Sequence, residues 1–230
     1  MDELRQMLLD RGAALVGFAD MSGVDEGKRR GFPFAVSVAL PLTPEIIAGI
    51  ADGPTRAYCG EYDRANAALD ELSRAGEAFL VGRGHRARGL AATMIGYDPV
   101  NLCAPFQHKT PATLSGLAWI GKCDLAVTEG YGSAVRWCSI LTDAPLPAGT
   151  PVDDSRCGDC TSCVEVCPGD ACSGNNWQRG MARDDLWDAR ACEKAMARIN
   201  AGRETHHDLC GMCIAACPYT RAYLEREGAL

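Results

Sequence analysis

The strongest constraint on this chain is a pair of cysteine blocks near its C-terminal end, both of which end in Cys-Pro. The first block reads Cys157-Gly-Asp-Cys160-Thr-Ser-Cys163-Val-Glu-Val-Cys167-Pro168. The second block reads Cys210-Gly-Met-Cys213-Ile-Ala-Ala-Cys217-Pro218. The spacing C-x2-C-x2-C-x3-C-P is typical of the ligands of a cubane iron–sulfur cluster, because short loops let successive thiolates converge on one cluster.

Two such clusters need eight thiolates, and Cys192, which lies between the blocks, supplies the eighth. In two-cluster proteins the fourth cysteine of the run binds the other cluster. This crossed pattern assigns one cluster to Cys157, Cys160, Cys163 and Cys217, and the other to Cys167, Cys192, Cys210 and Cys213. Zinc is the alternative, since C-x2-C pairs also bind Zn²⁺. Zinc does not explain a run of three cysteines or two Cys-Pro endings, so the sequence favours two [4Fe-4S] clusters.

The number of cysteines also bears on the compartment. Thirteen cysteines in 230 residues would suggest disulfides in a secreted chain, but the N-terminal residues have no apolar signal core. No apolar run reaches the length of a membrane span. Reduced cysteines in a cytosolic protein are more often metal ligands than cross-links. We therefore predict a cytoplasmic protein that makes no membrane contact.

Apolar periodicity gives a coarse map of the first 145 residues. It predicts a helix over residues 3–12, strands over 15–19 and 34–40, a helix entry at 43–45 and a long amphipathic helix over 62–83. Residues 97–122 contain several prolines and glycines and are predicted to be irregular. Residues 125–128 and 134–142 are predicted to form a hairpin through the glycine-containing loop 129–133.

Three prolines, at residues 145, 147 and 151, mark the predicted domain boundary. The pattern predicts the α+β class, with an α/β sheet domain at 1–145 and a small ferredoxin-like cluster domain at 152–230. Both cysteine blocks and Cys192 lie in the second domain.

Several further motifs resemble one known family. They are Gly116-Leu-Ala-Trp119-Ile-Gly-Lys122, Tyr131-Gly-Ser133, Ile140-Leu-Thr-Asp143 and Asp188-Ala-Arg-Ala-Cys192. Together with the cysteine blocks, they resemble the epoxyqueuosine reductase family, which is related to the corrinoid-dependent reductive dehalogenases. The resemblance implies a nitroreductase-like N-terminal domain that carries cobalamin and a double-cluster domain that supplies it with electrons. It also implies an electron donor of the reduced ferredoxin or flavodoxin type.

The chain departs from the tRNA-modifying members of that family in two ways. Those members continue into a C-terminal helical-repeat region that helps hold tRNA, whereas this sequence ends at Leu230. They also carry an acidic proton donor upstream of the tryptophan motif, where this chain has Leu102 and, further on, His108-Lys109-Thr110. The chain is more similar to a shorter, double-cluster-binding offshoot, for which tRNA is not an expected partner.

The resemblance and the loop 97–122 together define a candidate acceptor site that faces the cluster domain. Its predicted catalytic residues are His108 as a proton donor near neutral pH, Lys109 as an anchor for an anionic group, and Cys103. The predicted cofactor-binding residues are Tyr58, Tyr62, Thr110 and Trp119. The alternative is a surface loop with solvated side chains and tyrosines that only pack. Among the other cysteines, Cys138 is predicted to lie in the core and Cys172 near a cluster. The sequence assigns no role to Cys59 or Cys123.

These observations predict an iron–sulfur oxidoreductase that reduces a bound cofactor, with cobalamin as one candidate, or a small substrate. A non-enzymatic electron carrier is the main alternative. A tRNA-modifying enzyme ranks last, because the net charge of −7 opposes phosphate binding.

The charge leads to a first testable prediction. Without a large basic surface, few counterions are released on RNA binding, so affinity for a tRNA anticodon stem-loop should be weak at physiological salt. Fluorescence anisotropy between about 50 and 200 mM salt should show only loose binding that fades as salt rises. Tight binding that persists at physiological salt would restore the tRNA-modifying interpretation.

Overall fold

The computed structural model describes residues 1–93, 96–203 and 205–230. Its strands are β1 (Leu15–Asp20), β2 (Phe34–Pro41), β3 (Ala87–Leu90), β4 (Trp119–Ile120), β5 (Ala126–Val127) and β6 (Val135–Thr142). Its helices are α1 (Asp2–Asp10), α2 (Glu26–Arg29), α3 (Pro44–Ala48), α4 (Arg56–Val81), α5 (Lys109–Leu114), α6 (Ser162–Glu165), α7 (Arg183–Leu186), α8 (Ala189–Asn200), α9 (Met212–Ala216) and α10 (Pro218–Arg226). This mixture of helices and strands confirms the predicted α+β class.

The residues group into two compact units, each built from separate stretches of chain. The first comprises Met1–Pro41, Ala65–Ala118 and Arg136–Val152, and the second comprises Leu42–Arg64, Trp119–Val135 and Asp153–Leu230. Residues 42–64 and 119–135 therefore group with the cysteine blocks. The division into folding domains at 1–145 and 152–230 stays a prediction.

A four-stranded sheet in the order β1-β2-β6-β3 forms the centre of the first unit. Strand β1 runs antiparallel to β2, with Phe18 opposite Val36, and β3 runs antiparallel to β6. The two inner strands are buried along most of their length, which explains their nearly continuous apolar sequence. Side chains of α1 and α4 pack with the sheet in one core cluster that includes Leu8, Leu69 and Ile140.

The predicted hairpin of residues 125–128 and 134–142 is wrong. Strand β5 pairs with β4 in a separate two-stranded sheet, while β6 joins the four-stranded sheet. The loop between them is still closed by paired backbone hydrogen bonds between Thr128 and Gly132. The sequence pattern detects both strands, but β6 is long and apolar enough to be an inner strand, and pairing is decided by its neighbours in space.

Two further expectations need correction. Helix α4 begins six residues before the predicted start at 62, because the Thr55 hydroxyl accepts a hydrogen bond from the backbone N–H of Tyr58 at 3.1 Å and satisfies the first turn. The segment 97–122 is only partly irregular, since it contains α5 and β4. Pro111 lies in the first turn of α5, where the missing N–H of proline costs no helical hydrogen bond.

Short helices and loops make up much of the second unit. Helix α8 begins after Asp188, whose Oδ1 accepts hydrogen bonds from the N–H groups of Arg190 and Ala191, each at 2.9 Å. Helices α9 and α10 follow each other directly, with Pro218 at the first position of α10. Among the described residues, no helix combines the length and the apolar character needed to cross a bilayer.

A glycine at the contact between β3 and α4 gives a test of the first unit. A Cβ on Gly89 would lie 2.7 Å from the backbone oxygen of Ser73 in α4. This distance is too short, and because the contacted atom belongs to the backbone, relieving the contact would require the main chain to shift. We expect Gly89→Ala to destabilise the fold by about 1–3 kcal/mol. The measurement is the thermal midpoint by circular dichroism under anaerobic conditions, which should fall by several degrees, at about 2–4 °C per kcal/mol.

Gly60 is the matched control, because it lies in α4 and a Cβ added to it would meet no atom within 4 Å. Gly60→Ala should leave stability unchanged or raise it by about 0.5–1 kcal/mol. Equal midpoints for the two variants would contradict the predicted close approach at Gly89.

Candidate metal centre

Five cysteines line one cavity of about 150 Å³, here called the cysteine cavity. Four of them are Cys157, Cys160, Cys163 and Cys217, the residues that the crossed pattern groups as one ligand set. The rest of the lining comes from Gly121, Lys122, Cys123, Val127, Arg156, Pro218 and Tyr219. A cavity lined by these four thiols matches the soft donor set that iron–sulfur clusters require.

Short local structures bring these thiols together. The backbone N–H of Cys160 donates to the carbonyl of Cys157 at 3.1 Å, which forms a tight turn. Cys163 lies in the short helix α6. Cys217 occupies the extended residue between α9 and α10, with φ −61° and ψ 126°. The proline after Cys217 suits that conformation, since the residue before a proline favours the extended region.

The other four predicted ligands also lie near one another. Burial raises the pKa of the Cys192 thiol to about 12, and the neighbouring thiols of Cys213, Cys167 and Cys210 act in the same direction. The backbone N–H of Ala171 donates to the sulfur of Cys167 at 3.3 Å. The second ligand set is therefore grouped in space, and metal binding by either set stays a prediction.

Two cysteines outside the predicted ligand sets touch them. The buried Cys123 thiol is in hydrogen-bond contact with Cys163 and Cys213, one member of each set. Hydrogen bonds donated by the thiols of Cys123 and, to a lesser extent, Cys172 lower the pKa of Cys163 to about 3, and the positive charge of Lys122 lowers this pKa further. Cys172 therefore lies beside a predicted ligand, as its sequence position suggested. Cys138 is fully buried in the core of the first unit, and Cys59 is fully buried in α4.

Lys122, Arg156 and Tyr219 are lining residues that sequence reasoning missed. Lys122 is only 4% exposed, which is unusual for a lysine. The Arg156 guanidinium lies 5.5 Å from the ring centroid of Trp119, and Tyr219 packs edge-on against the same ring at 4.9 Å. The sequence could have indicated two of them by their position beside known motifs, because Lys122 ends the tryptophan motif and Tyr219 follows Cys217-Pro218.

Trp119 packs in the second unit, and its predicted part in cofactor binding stays a prediction. It is 2% exposed and lies beneath Arg156 and Tyr219. Its indole Nε1 is buried and has no hydrogen-bond partner in the part of the chain that the structure describes. A buried donor of this kind is costly unless an acceptor satisfies it, and Trp119 packs against two residues that line the cysteine cavity.

His108 lies in the first unit with both ring nitrogens engaged. Nδ1 is 2.9 Å from the Ser139 hydroxyl and Nε2 is 2.9 Å from the carbonyl oxygen of Ala91. Burial lowers the pKa of His108 from 6.5 to about 4, and the charge of Arg136 adds to this effect. These contacts favour a structural role, and its role as a proton donor near neutral pH stays a prediction.

The remaining predicted site residues fall in different parts of the fold. Cys103 is half-buried and pairs with Asp98 through backbone hydrogen bonds. Lys109 and Thr110 begin α5, and both are half-buried. In the second unit, Tyr58 is buried against Gly211, and the ring of Tyr62 lies 5.1 Å from that of His207. Cys103, His108, Lys109 and Thr110 thus belong to the first unit, and Tyr58, Tyr62 and Trp119 belong to the second.

The depressed pKa of His108 leads to a stability prediction. The unfolded chain takes up a proton near pH 6.5, whereas folded His108 does so only near pH 4, so stability should fall as pH drops through this window. Between pH 7 and pH 5, the wild-type chain should lose about 2 kcal/mol more than a His108→Gln chain. Anaerobic urea unfolding at both pH values measures this difference. Equal losses would show that His108 is not held neutral.

Comparisons of sequence find relatives of this chain among the epoxyqueuosine reductases. The enzyme of Aliivibrio fischeri is 32% identical over 136 residues, which cover 55% of this chain and 34% of that protein. The enzyme of Vibrio cholerae is 26% identical over 195 residues, which cover 79% of this chain and 47% of that protein. The chain therefore spans less than half the length of these relatives. No protein-family profile matches it.

Comparisons of structure find the same fold in two groups of enzymes. The epoxyqueuosine reductase of Bacillus subtilis superposes with a TM-score of 0.64 at 18% identity, over 96% of this chain and 65% of that one. A reductive dehalogenase described in connection with B12-dependent dehalogenation superposes with a TM-score of 0.72 at 18% identity, over 97% of this chain and 33% of that one. The predicted resemblance is thus confirmed: this chain is similar in sequence to epoxyqueuosine reductases and shares a fold with them and with reductive dehalogenases.

Proposed function

We propose that this chain is an iron–sulfur oxidoreductase similar to the epoxyqueuosine reductases, in which two [4Fe-4S] clusters pass electrons to a bound cofactor or small substrate. The main support is the cysteine cavity. Cys157, Cys160 and Cys163 lie close in sequence, but Cys217 comes from the second block, and all four line the same cavity. That grouping is the one expected of crossed cubane ligation.

The side chains around the ligand sets suit this role. When bound, the two clusters supply one-electron carriers. Lys122 is buried in the cavity wall, where its charge offsets the negative charge of the thiolates of Cys157, Cys160, Cys163 and Cys217. Cys123 contacts one thiol of each set, so the two sets are close neighbours. Short separation between redox centres is what an electron-transfer domain requires.

A corrinoid acceptor has weaker support from this chain's residues. Tyr58 and Trp119, two of the residues predicted to bind it, are already buried against Gly211 and Tyr219. The acceptor site on the segment 97–122 is therefore proposed without a commitment to cobalamin.

The second candidate function is a non-enzymatic electron carrier. The cysteine cavity favours this candidate as well, since clusters held in a small cavity can exchange electrons without a substrate site. A reduced ferredoxin or flavodoxin is the proposed donor in both cases, and the cytoplasm is the proposed compartment. Protein purified without oxygen distinguishes the two: a retained organic acceptor, seen by absorption and mass spectrometry, supports the reductase, and clusters alone support the carrier.

A tRNA substrate is the third candidate. One related epoxyqueuosine reductase has been solved with an epoxyqueuosine-modified tRNA stem loop, and it shares 18% identity with this chain. The net charge of −7 argues against a tRNA substrate for this chain, because phosphate binding requires clustered basic residues.

The proposal predicts about eight irons and eight sulfides per chain in anaerobically purified protein. Cys192→Ser should lower the iron content by up to about half and change the low-temperature electron paramagnetic resonance spectrum of the reduced protein, because it removes one thiolate from one set only. Iron and sulfide analysis together with these spectra test the proposal.

Cys59→Ala is the matched control, because Cys59 is fully buried in α4 and lies outside both ligand sets. It should keep the full iron content and an unchanged spectrum. A single cluster per chain, or stoichiometric zinc in place of iron, would refute the proposed function.

A further inference from the structure

Three side chains of types that commonly bind metals meet away from the cysteine cavity. Nε2 of His206 lies 2.8 Å from Oδ2 of Asp63, and Nε2 of His207 lies 2.6 Å from Oδ1 of the same carboxylate. One ligand atom from each residue lies within 4.8 Å of the other two. Asp63 belongs to α4, while both histidines lie in the loop between α8 and α9, so folding brings together residues that are distant in sequence.

We propose that Asp63, His206 and His207 form a binding site for a divalent transition metal, with Zn²⁺ as the best-matched ion. Two imidazole nitrogens and one carboxylate oxygen are among the common protein ligands of Zn²⁺, and three ligands leave a coordination position for water. Mg²⁺ and Ca²⁺ match this set poorly, because both prefer oxygen ligands. None of the three residues belongs to the predicted iron–sulfur ligand sets.

The ligand atoms are in a suitable chemical state. The Asp63 side chain is about half exposed, and an exposed aspartate is ionised at neutral pH, so a carboxylate is present. To bind a metal, each histidine presents the lone pair of Nε2 and carries its ring proton on Nδ1. The ion would then take the place of any proton that an Nε2 atom donates to the carboxylate.

The surrounding residues hold the loop beside α4. The Arg203 guanidinium donates to the carbonyl oxygens of Pro54 and Asp52, at 3.1 and 3.2 Å. The Thr205 hydroxyl donates to the side-chain oxygen of Asn200 at 2.7 Å. These contacts anchor Arg203 and Thr205, just before the two histidines, which lowers the entropy cost of closing the site around an ion.

The site is also accessible to an ion from solution. The side chains of Asp63, His206 and His207 are 51%, 55% and 33% exposed. The Tyr62 ring packs against His207 with a centroid distance of 5.1 Å and restricts the orientation of that imidazole. A bound ion would tie α4 to the loop that leads into Cys210, the first residue of the second cysteine block.

The test uses the 230-residue chain purified without oxygen, with any bound iron left in place. Equilibrium dialysis against ZnCl₂, followed by measurement of zinc and iron in the same samples, should show one zinc per chain and unchanged iron. Asp63→Asn and His206→Ala should each weaken zinc binding by at least ~10-fold, the lower end of the loss caused by removing even an outer-shell partner. Both positions are exposed, so the variants should keep the wild-type circular dichroism spectrum.

His85→Ala is the matched control, because Nδ1 of His85 lies 3.8 Å from Oδ1 of Asp143 but His85 belongs to no group of three potential metal ligands among the described residues. This variant should bind zinc as the wild-type chain does. The proposal is overturned if wild-type protein takes up no zinc, if Asp63→Asn binds it equally well, or if zinc uptake is matched by loss of iron. The iron content itself tests the proposed function, so the two proposals can fail separately.

Discussion

The cysteine cavity depends on the contact between Thr220 and the backbone at Gly132. The Ser133 N–H donates to the Thr220 hydroxyl at 3.2 Å, and a Cβ on Gly132 would overlap the backbone of Thr220. Only glycine allows this approach, and its φ of +58° adds a second reason for glycine here. Further along α10, the Tyr223 hydroxyl donates to the Leu42 carbonyl at 2.9 Å. These contacts set the start of α10 and therefore the place of Cys217.

The electrostatics of the cavity follow from this arrangement. In the proposed function the cavity would hold four thiolates, which repel one another, and such a group is stable only if nearby donors or cations compensate. Cys123 and Cys172 donate to the Cys163 sulfur, and the buried Lys122 adds a positive charge. In the proposed function these groups would also tune the reduction potential, because hydrogen bonds to ligand sulfurs and local charge are among its main determinants.

The two histidine-containing sites show how burial changes the chemistry of one residue type. His108 is half-buried, and both of its ring nitrogens are hydrogen-bonded inside the first unit, so its pKa is lowered and its ring joins the Ala91 carbonyl to strand β6. His206 and His207 are open to solvent and share one carboxylate, so their nitrogens can exchange a proton for a metal ion. The sequence alone cannot distinguish a buried histidine from an exposed one, because the residues that flank a histidine do not determine its solvent exposure.

Local patterns in the chain were enough to predict the α+β class, strands β1 and β2, and the grouping of Cys217 with the first three cysteines of the other block. Each of these depends on apolar periodicity or on residue spacing. The tryptophan motif, which supplies Lys122 to the cavity, was also visible before folding was considered. The pairing of β6 within the four-stranded sheet instead of with β5 emerged only in three dimensions. The contacts of Cys123 with both ligand sets and the position of Asp63 beside the two histidines likewise emerged only in three dimensions. These contacts join residues far apart in the chain, where packing and not local conformation selects the partner.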